Sequence, residues 1–457
     1  MPHEAQQLAL DLAGFTSGGA PPGECGRGHN GSANKLDLQD RAFHDWYRFV
    51  LSYPPHLVRT YLADFGLDSR HTVLDPFCGT GTTVVECKLN NIKGIGLEAN
   101  PFAHFAGSVK LDWDVDPDAL AKMAQDTAAA TWQALEEQGI RDNEPFADNV
   151  EDMALRSLDP DAMSLLLKGS ISPLPLHKAL VLLDHLRPYQ GEQRFRHGLL
   201  ALANALVFKI SNLHFGPEVG VQNPKRDVPV VASWLHEIRK MTVDLRQVHD
   251  RSFVACQVHR ADARGIAGIL PPASVDAVIT SPPYPNEKDY TRTTRLESVM
   301  LGFINNKAEL RALKQQLVRS NTRGVYKGDD DDQWIAQHPE IQGIADAIEQ
   351  RRVEMGKTSG FERLYPKVTK LYFGGMARHL ADLRAVLRPG AQLAYVVGDQ
   401  ASYLRVMIRT GQLIADIAQV LGYEVVRIDL FRTRRATATR EQLREEVVVL
   451  RWRGGSD

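Results

Sequence analysis

Two hydrophobic patterns alternate along this chain: short apolar runs of strand length that end at proline or glycine, and longer stretches with helical spacing. Val275, Ala277, Val278 and Ile279 form one short run. It stops at Ser281-Pro282-Pro283-Tyr284, where two prolines remove two backbone donors and end any sheet ladder. A buried strand leading into a stiff loop is expected there, and in an open α/β sheet ligands bind at the carboxyl ends of the strands. Upstream, Thr72 to Leu74 reads as a strand, Asp75 to Gly81 as a glycine-bearing loop, Thr82 to Asn90 as a helix, and Gly94 to Leu97 as a second strand ending at Glu98. Together they make a βαβ unit. Before it, Tyr53-Pro54-Pro55 sets a helix start, and Leu57, Val58, Tyr61, Leu62 and Phe65 share one face of the helix that follows.

Two stretches interrupt this framework. Residues 111–253 are rich in Ala, Leu and Asp with helical spacing, and they predict a helical insertion between the second and third strands of the sheet. Inside it, Ser211 to Val230 carries three prolines and two glycines and reads as an irregular loop, a kind of segment that is disproportionately functional. A second insertion spans about 285–370, and its run Asp329 to Asp332 is expected to face solvent. The framework itself is then 38–110 and 254–457. Residues 1–37, a Gly, Pro and Ser mixture, read as a flexible arm.

Composition narrows the class. With 43% hydrophobic and 24% charged residues, and no apolar run near the roughly 18 residues that span a bilayer, a membrane role is not expected. The N-terminus has neither a basic region nor a long apolar core, so the cytoplasm is the expected location. Cys25, Cys78, Cys87 and Cys256 lie far apart without ligand spacing, which argues against a structural zinc and a disulfide framework; no metal is expected. The net charge of −2 gives no global attraction for nucleic acid, so any such contact must use local basic surface. Lys225, Arg226, Arg239, Lys240, Arg246 and Arg251 form one cluster, and Arg292, Arg295, Arg311, Lys314, Arg319, Arg323 and Lys327 another. Solvated helix faces would look the same.

The glycine loop points to a cofactor. Gly79 and Gly81 permit a tight turn, and Glu98 follows about 20 residues later, where such folds place a carboxylate on a ribose hydroxyl. A third glycine is missing and no Lys follows Gly81, which disfavours a pyrophosphate ligand and leaves a nucleoside-containing cofactor.

Asp75-Pro76-Phe77-Cys78-Gly79-Thr80-Gly81-Thr82 followed by Ser281-Pro282-Pro283-Tyr284 resembles the S-adenosylmethionine-dependent DNA amino-methyltransferases. The resemblance implies a class I methyltransferase-like (Rossmann-like) α/β fold, with a mostly parallel seven-stranded sheet, helices on both faces and an added helical insertion. It also implies that Asp75 to Thr82 cradle the methionine part of S-adenosylmethionine, that Glu98 holds its ribose and Asp262 its adenine, and that Tyr53 and Pro54 belong to the N-terminal cofactor motif. Ser281, Pro282, Pro283 and Tyr284 would receive the flipped base. The likeness extends to Leu383–Gln400 and Glu445–Trp452. In this family an insertion between the second and third strands is not the usual target-recognition region, so recognition of a sequence is left unassigned.

The chemistry expected at the proline loop follows from the substrate. An exocyclic amino nitrogen is a poor nucleophile because its lone pair is delocalised, and it needs acceptors more than a strong base. Ser281 Oγ and the Pro282 carbonyl can accept its hydrogens, and Tyr284 offers a face to an extruded base. Attack through cytosine C5 would need a Pro-Cys nucleophile, and no cysteine here follows a proline. Serine at the first motif position leans, in this family, toward cytosine N4. The expectation is an N4-cytosine methyltransferase acting on double-stranded DNA in restriction-modification or related defence, with a cognate restriction or defence protein as a further partner. The alternatives are an N6-adenine DNA methyltransferase, an RNA amino-methyltransferase and a non-catalytic DNA-binding subunit. Residues 111–253, through Ser211 to Val230 with Lys225 and Arg226, are the candidate DNA-contacting subdomain.

Overall fold

The computed structural model describes residues 36, 38–49, 52–143, 153–216, 218–249, 251–286, 288–435 and 442–454, so the arm expected at 1–37 lies outside the described residues apart from residue 36. In chain order the principal elements are α1 (Pro55–Asp64), β1 (Thr72–Asp75), α2 (Thr82–Leu89), β2 (Lys93–Leu97), α3 (Pro101–Lys110), α4 (Pro117–Glu136), α5 (Pro173–Leu186), α6 (Gln193–Ala205), β3 (Leu213–Phe215), β4 (Val219–Val221), α7 (Val230–Val248), β5 (Gln257–His259) and β6 (Val275–Thr280). They continue with α8 (Lys307–Gln315), α9 (Pro339–Glu354), α10 (Tyr365–Leu383), β7 (Leu387–Gly398), α11 (Thr410–Val420), β8 (Glu424–Arg435) and β9 (Gln442–Arg451).

Seven strands form one sheet in the order β5-β2-β1-β6-β7-β9-β8, with β3 and β4 paired separately. β5, β2, β1, β6 and β7 run parallel; β9 is antiparallel to both β7 and β8, which makes it the single reversed strand. This is the mostly parallel seven-stranded sheet of the expected fold class. The chain builds outward from β1 to β2 and β5, then returns to lay β6 and β7 on the other side. The reversal puts the ligand-binding crevice at the carboxyl ends of β1 and β6.

Side-chain alternation assigns the faces. Val73, Ala277, Ile279, Ala394, Val396, Val447 and Val449 pack under α1, while Leu74, Val278, Leu393, Tyr395, Val397, Val448 and Leu450 join the core formed with α10 and α11. Val275 falls on the second face because the β6–β7 register shifts between Val275 and Ala277. α1 starts with Pro55 at its first turn, as its sequence predicts.

The stretch between β2 and β5 is helical, and its apolar faces merge with those of α2, α3 and residues 43–47 into one core that includes Phe43, Trp46, Phe102, Leu120, Leu182, Leu200 and Trp234. Buried polar groups fix this packing. Trp46 Nε1 donates to Asp244 at 2.8 Å, and His44 pairs with Glu86 at 2.9 Å. Lys178, with no exposed side chain, pairs with Asp227 at 2.9 Å and lies 3.6 Å from Asp142. Asp142 in turn accepts the first N–H groups of α7, from Val230 at 2.8 Å and Val231 at 2.9 Å. No helix among the described residues is long and apolar enough to cross a membrane.

Three local expectations need correction. Ser211 to Val230 is not irregular throughout, because β3 and β4 form an antiparallel hairpin within it. Lys225 is not a free surface cation: its Nζ donates to the carbonyls of Lys209 and Ser211, both at 2.8 Å, satisfying acceptors at a helix end. The acidic run is not a solvated tip. Asp331 is buried and accepts from Arg264 and Arg378, and Asp329 pairs with the buried Arg319 at 2.8 Å. Arg319, ten residues away, and the more distant Arg264 and Arg378 neutralise two of its four charges.

Substitution Lys178→Met leaves two buried carboxylates without their counter-ion. It is expected to cost about 3–5 kcal/mol, read as a lowered urea midpoint followed by tryptophan fluorescence.

Candidate active site

Asp75 ends β1 and Thr280 ends β6, so the two adjacent strands deliver both motifs to one point. Asp75 is fully buried. Its carboxylate accepts from Thr280 Oγ1 at 2.6 Å, from the Phe77 N–H at 3.1 Å and from Tyr53 OH at 3.1 Å. Burial pushes its pKa up to about 6, and the hydrogen bonds from Thr280, Thr83, Phe77 and Tyr53 oppose that rise. Tyr53 also hydrogen-bonds Thr83, whose Oγ1 reaches the Ile279 carbonyl at 3.1 Å. Pro54 stands in extended conformation just before α1.

The loop beyond Asp75 turns through Gly79 (φ 52°) and Gly81 (φ 91°), and Gly81 hands the chain to Thr82, the first residue of α2. Pro76 and Cys78 are buried, and Phe77 packs edge-on against His379 with centroids 4.9 Å apart. Thr80 Oγ1 is buried with no hydrogen-bond partner among the described residues. Glu98, at the end of β2, accepts the Gly79 N–H at 2.9 Å and the Asn100 N–H at 2.7 Å, one on each oxygen. Burial raises its pKa to about 7 against those two donors. The remaining lone pairs of this carboxylate suit a ligand with two adjacent hydroxyls. An orphaned hydroxyl in the loop and a pre-oriented carboxylate beside it fit a nucleoside-bearing cofactor. Asp262 follows β5, the strand next to β2, and its carboxylate is ion-paired with Arg264 at 2.7 Å.

At the proline loop, Ser281 Oγ donates to the Val396 carbonyl of β7 at 3.2 Å. Its hydrogen is committed there, and the Tyr284 phenol is a second hydrogen-bond partner of the same side chain. Pro282 is buried, and Pro283 and Tyr284 are half-buried. The Tyr284 N–H donates to Tyr290 OH at 3.2 Å, and its phenol reaches Glu445 at 3.5 Å. Burial first, and the Glu445 carboxylate next, hold that phenol protonated. Its ring lies on Gly398, where an added Cβ would come within 2.9 Å of Cε2, so only glycine lets the ring sit here.

The structure therefore joins Tyr53, Thr83, Asp75 and Thr280 in one hydrogen-bonded group that ends one residue before the proline loop, with Gly79 and Glu98 in a second one. Sequence reasoning missed Thr280, Thr83, Gly398 and Glu445. Thr280 is readable in hindsight, since it borders the motif on a strand end; Glu445 lies 161 residues from Tyr284 and had no local mark. Among the described residues no group of three or more His, Cys, Asp or Glu is placed to hold a metal ion. Cys78, Cys87 and Cys256 are free thiols; Cys25 lies outside the described residues.

Sheet order, glycine loop and strand-end carboxylate together define a class I methyltransferase-like protein. Residues 34–106 match a family model described as DNA methylase, which covers N6 and N4 types; the match takes in α1, the glycine loop and Glu98. Type II methyltransferase M.BsoBI from Geobacillus stearothermophilus is 23% identical over 441 residues, 90% of this chain and 85% of its own length. Type II methyltransferase M.AvaI from Anabaena variabilis is 26% identical over 171 residues, 36% of this chain and 34% of its own. Among solved structures, TrmN from Thermus thermophilus aligns at 12% identity with a TM-score of 0.29, over 90% of this chain and 52% of that one. By this match and these relatives the chain is similar to the DNA amino-methyltransferases.

If Glu98 holds the ribose of S-adenosylmethionine, its ionised form would accept the hydroxyls better than the protonated one. Because its pKa in the free protein is raised to about 7, S-adenosylmethionine affinity should fall as pH drops below that value, by up to about tenfold per unit, and level off above it. Calorimetry across this range checks the slope, which Glu98→Gln should abolish.

Proposed function

We propose that the protein transfers a methyl group from S-adenosylmethionine to cytosine N4 in double-stranded DNA, as the modifying enzyme of a restriction-modification or related defence system. The observation that carries this reading is Ser281. It stands at the switch point of the sheet, and its hydroxyl hydrogen is committed to Val396, so that its oxygen would act as an acceptor. The match to DNA methylases and the relatives titled Type II methyltransferases support the substrate class. Serine at the first motif position favours cytosine over adenine.

Asp75 to Thr82 with Tyr53 would hold the methionine part of the cofactor, Glu98 the ribose and Asp262 the adenine. When bound, S-adenosylmethionine supplies an electrophilic methyl carried on a sulfonium. The chain's own task is to make a weak nucleophile reactive. Ser281 Oγ and the Pro282 carbonyl accept the amino hydrogens, draw the nitrogen lone pair out of conjugation and stabilise positive charge as it develops. Pro282 and Pro283 keep both acceptors fixed, so little reorganisation is needed at the moment of transfer. Tyr284 stacks on the flipped base; such stacking is worth about 1–3 kcal/mol, the same order as the cost of extruding a nucleotide.

Nucleoside mass spectrometry of duplex DNA incubated with protein and S-adenosylmethionine tests the reading. N4-methylcytosine is expected. N6-methyladenine would reassign the base, and absence of any methylated nucleoside would overturn the catalytic reading. Ser281→Ala should lower single-turnover methylation about 100-fold, equivalent to about 2.7 kcal/mol, with S-adenosylmethionine affinity nearly unchanged. Tyr284→Ala should instead reduce both DNA affinity and turnover, because its ring contacts the base before and during transfer.

A further inference from the structure

Five segments of the chain meet beside the proline loop, and their charges do not balance. Lys288 lies just beyond Tyr284, and Arg292 follows in the short helix Tyr290–Thr293. β8 contributes Arg432 and Arg434, and the turn Thr322–Gly324 contributes Arg323. The β3–β4 hairpin of the helical insertion contributes one carboxylate, Glu218, and β9 another, Glu445. Glu445 is consumed by its ion pair with Arg432 and its contact with Tyr284. Burial, and after it the charge of Arg434, hold the Lys288 amine below the usual lysine range; Arg432 adds to this while Glu445 and Glu218 oppose it. These groups are therefore near neighbours.

Glu218 is the loose member. Its side chain is 52% exposed and stands 3.7 Å from Arg292 Nη1 and 4.0 Å from Arg323 Nη1. Wet ion pairs at such distances contribute little and exchange readily. Arg292 Nε is moreover buried without a hydrogen-bond partner among the described residues. Other basic residues of the same stretch are already committed: Lys314 to Asp289 at 2.7 Å, Arg319 to Asp329, and Arg295 to Thr291 at 2.8 Å. Cationic groups left in excess beside a base-receiving loop suit a polyanion with regularly spaced single charges.

We propose that Lys288, Arg292, Arg323 and Arg434 form a phosphate-binding rim for the DNA backbone next to the target nucleotide, and that Glu218 stands in for a phosphate until DNA displaces it. The proposal rests on the DNA methyltransferase reading and adds the surface that engages the duplex. It gives the β3–β4 hairpin a role: closing the rim when DNA is absent. Each phosphate neutralised releases counter-ions, so the rim must show in the salt dependence of binding.

The test is fluorescence anisotropy of a labelled random-sequence DNA duplex with the full-length protein across a sodium chloride series. Arg292→Ala with Arg323→Ala should weaken binding about tenfold or more and reduce the slope of log affinity against log salt by about two. S-adenosylmethionine affinity should stay at the wild-type value. Glu218→Gln, an exposed and isosteric change, should tighten DNA binding about threefold, as expected for loss of a competing surface charge. Arg434→Gln provides a single mild change, expected to lower the slope by about one. Wild-type affinity and slope in the arginine variants, or weaker binding by Glu218→Gln, would overturn the rim. Tighter binding of an RNA duplex than of DNA would overturn its assignment to DNA. If the wild-type protein binds S-adenosylmethionine but no duplex, the DNA reading itself fails.

Discussion

Asp75 has no contact with solvent, yet it accepts hydrogen bonds both from the glycine loop, at Phe77, and from Thr280, the strand residue that leads into the proline loop. A lone buried carboxylate is costly, and here desolvation is offset by hydroxyls from Thr280 and Tyr53 and by the Phe77 N–H. The consequence is geometric. Thr280 precedes Ser281 and Phe77 precedes Gly79, so a single carboxylate sets the separation between the glycine loop and the proline loop. Methyl transfer needs donor and acceptor held in line at close range, and this bond network supplies that constraint from the framework itself.

Charge is used in two distinct ways in the molecule. Inside, ion pairs are complete: Lys178 with Asp227 and Asp142, Arg264 with Asp262 and Asp331, Arg319 with Asp329. Such pairs fix how the insertions seat on the sheet, because breaking one leaves an uncompensated buried charge. At the mouth of the proline loop the pairs are incomplete, and Glu218 bridges two arginines at distances too long for a firm salt bridge. The molecule has almost no net charge, so a polyanion finds its attraction only where local imbalance is exposed. In the proposed rim the two insertions meet: one brings Glu218, the other Arg292 and Arg323.

The sequence by itself determined the elements whose cause is local. Pro55 at a first helical turn, the short strand before the glycine loop, Glu98 at the end of β2 and a strand stopped by Pro282 and Pro283 all follow from periodicity and backbone chemistry within a few residues. The helical character of the first insertion was legible for the same reason. What only the tertiary structure decided are the contacts between segments far apart in the chain. Asp331 reads as one of four solvated acids, but Arg264 and Arg378 select it for burial. Lys225 reads as surface charge, but carbonyls at a helix end capture it. Tyr284 has its ring placed by Gly398 and its phenol by Glu445, neither of which carries a local mark of that role. A sequence window records which groups are charged or apolar. Which of them lose their water is fixed only when the sheet and insertions pack, because desolvation depends on every segment that closes over a group, and those segments come from the whole chain.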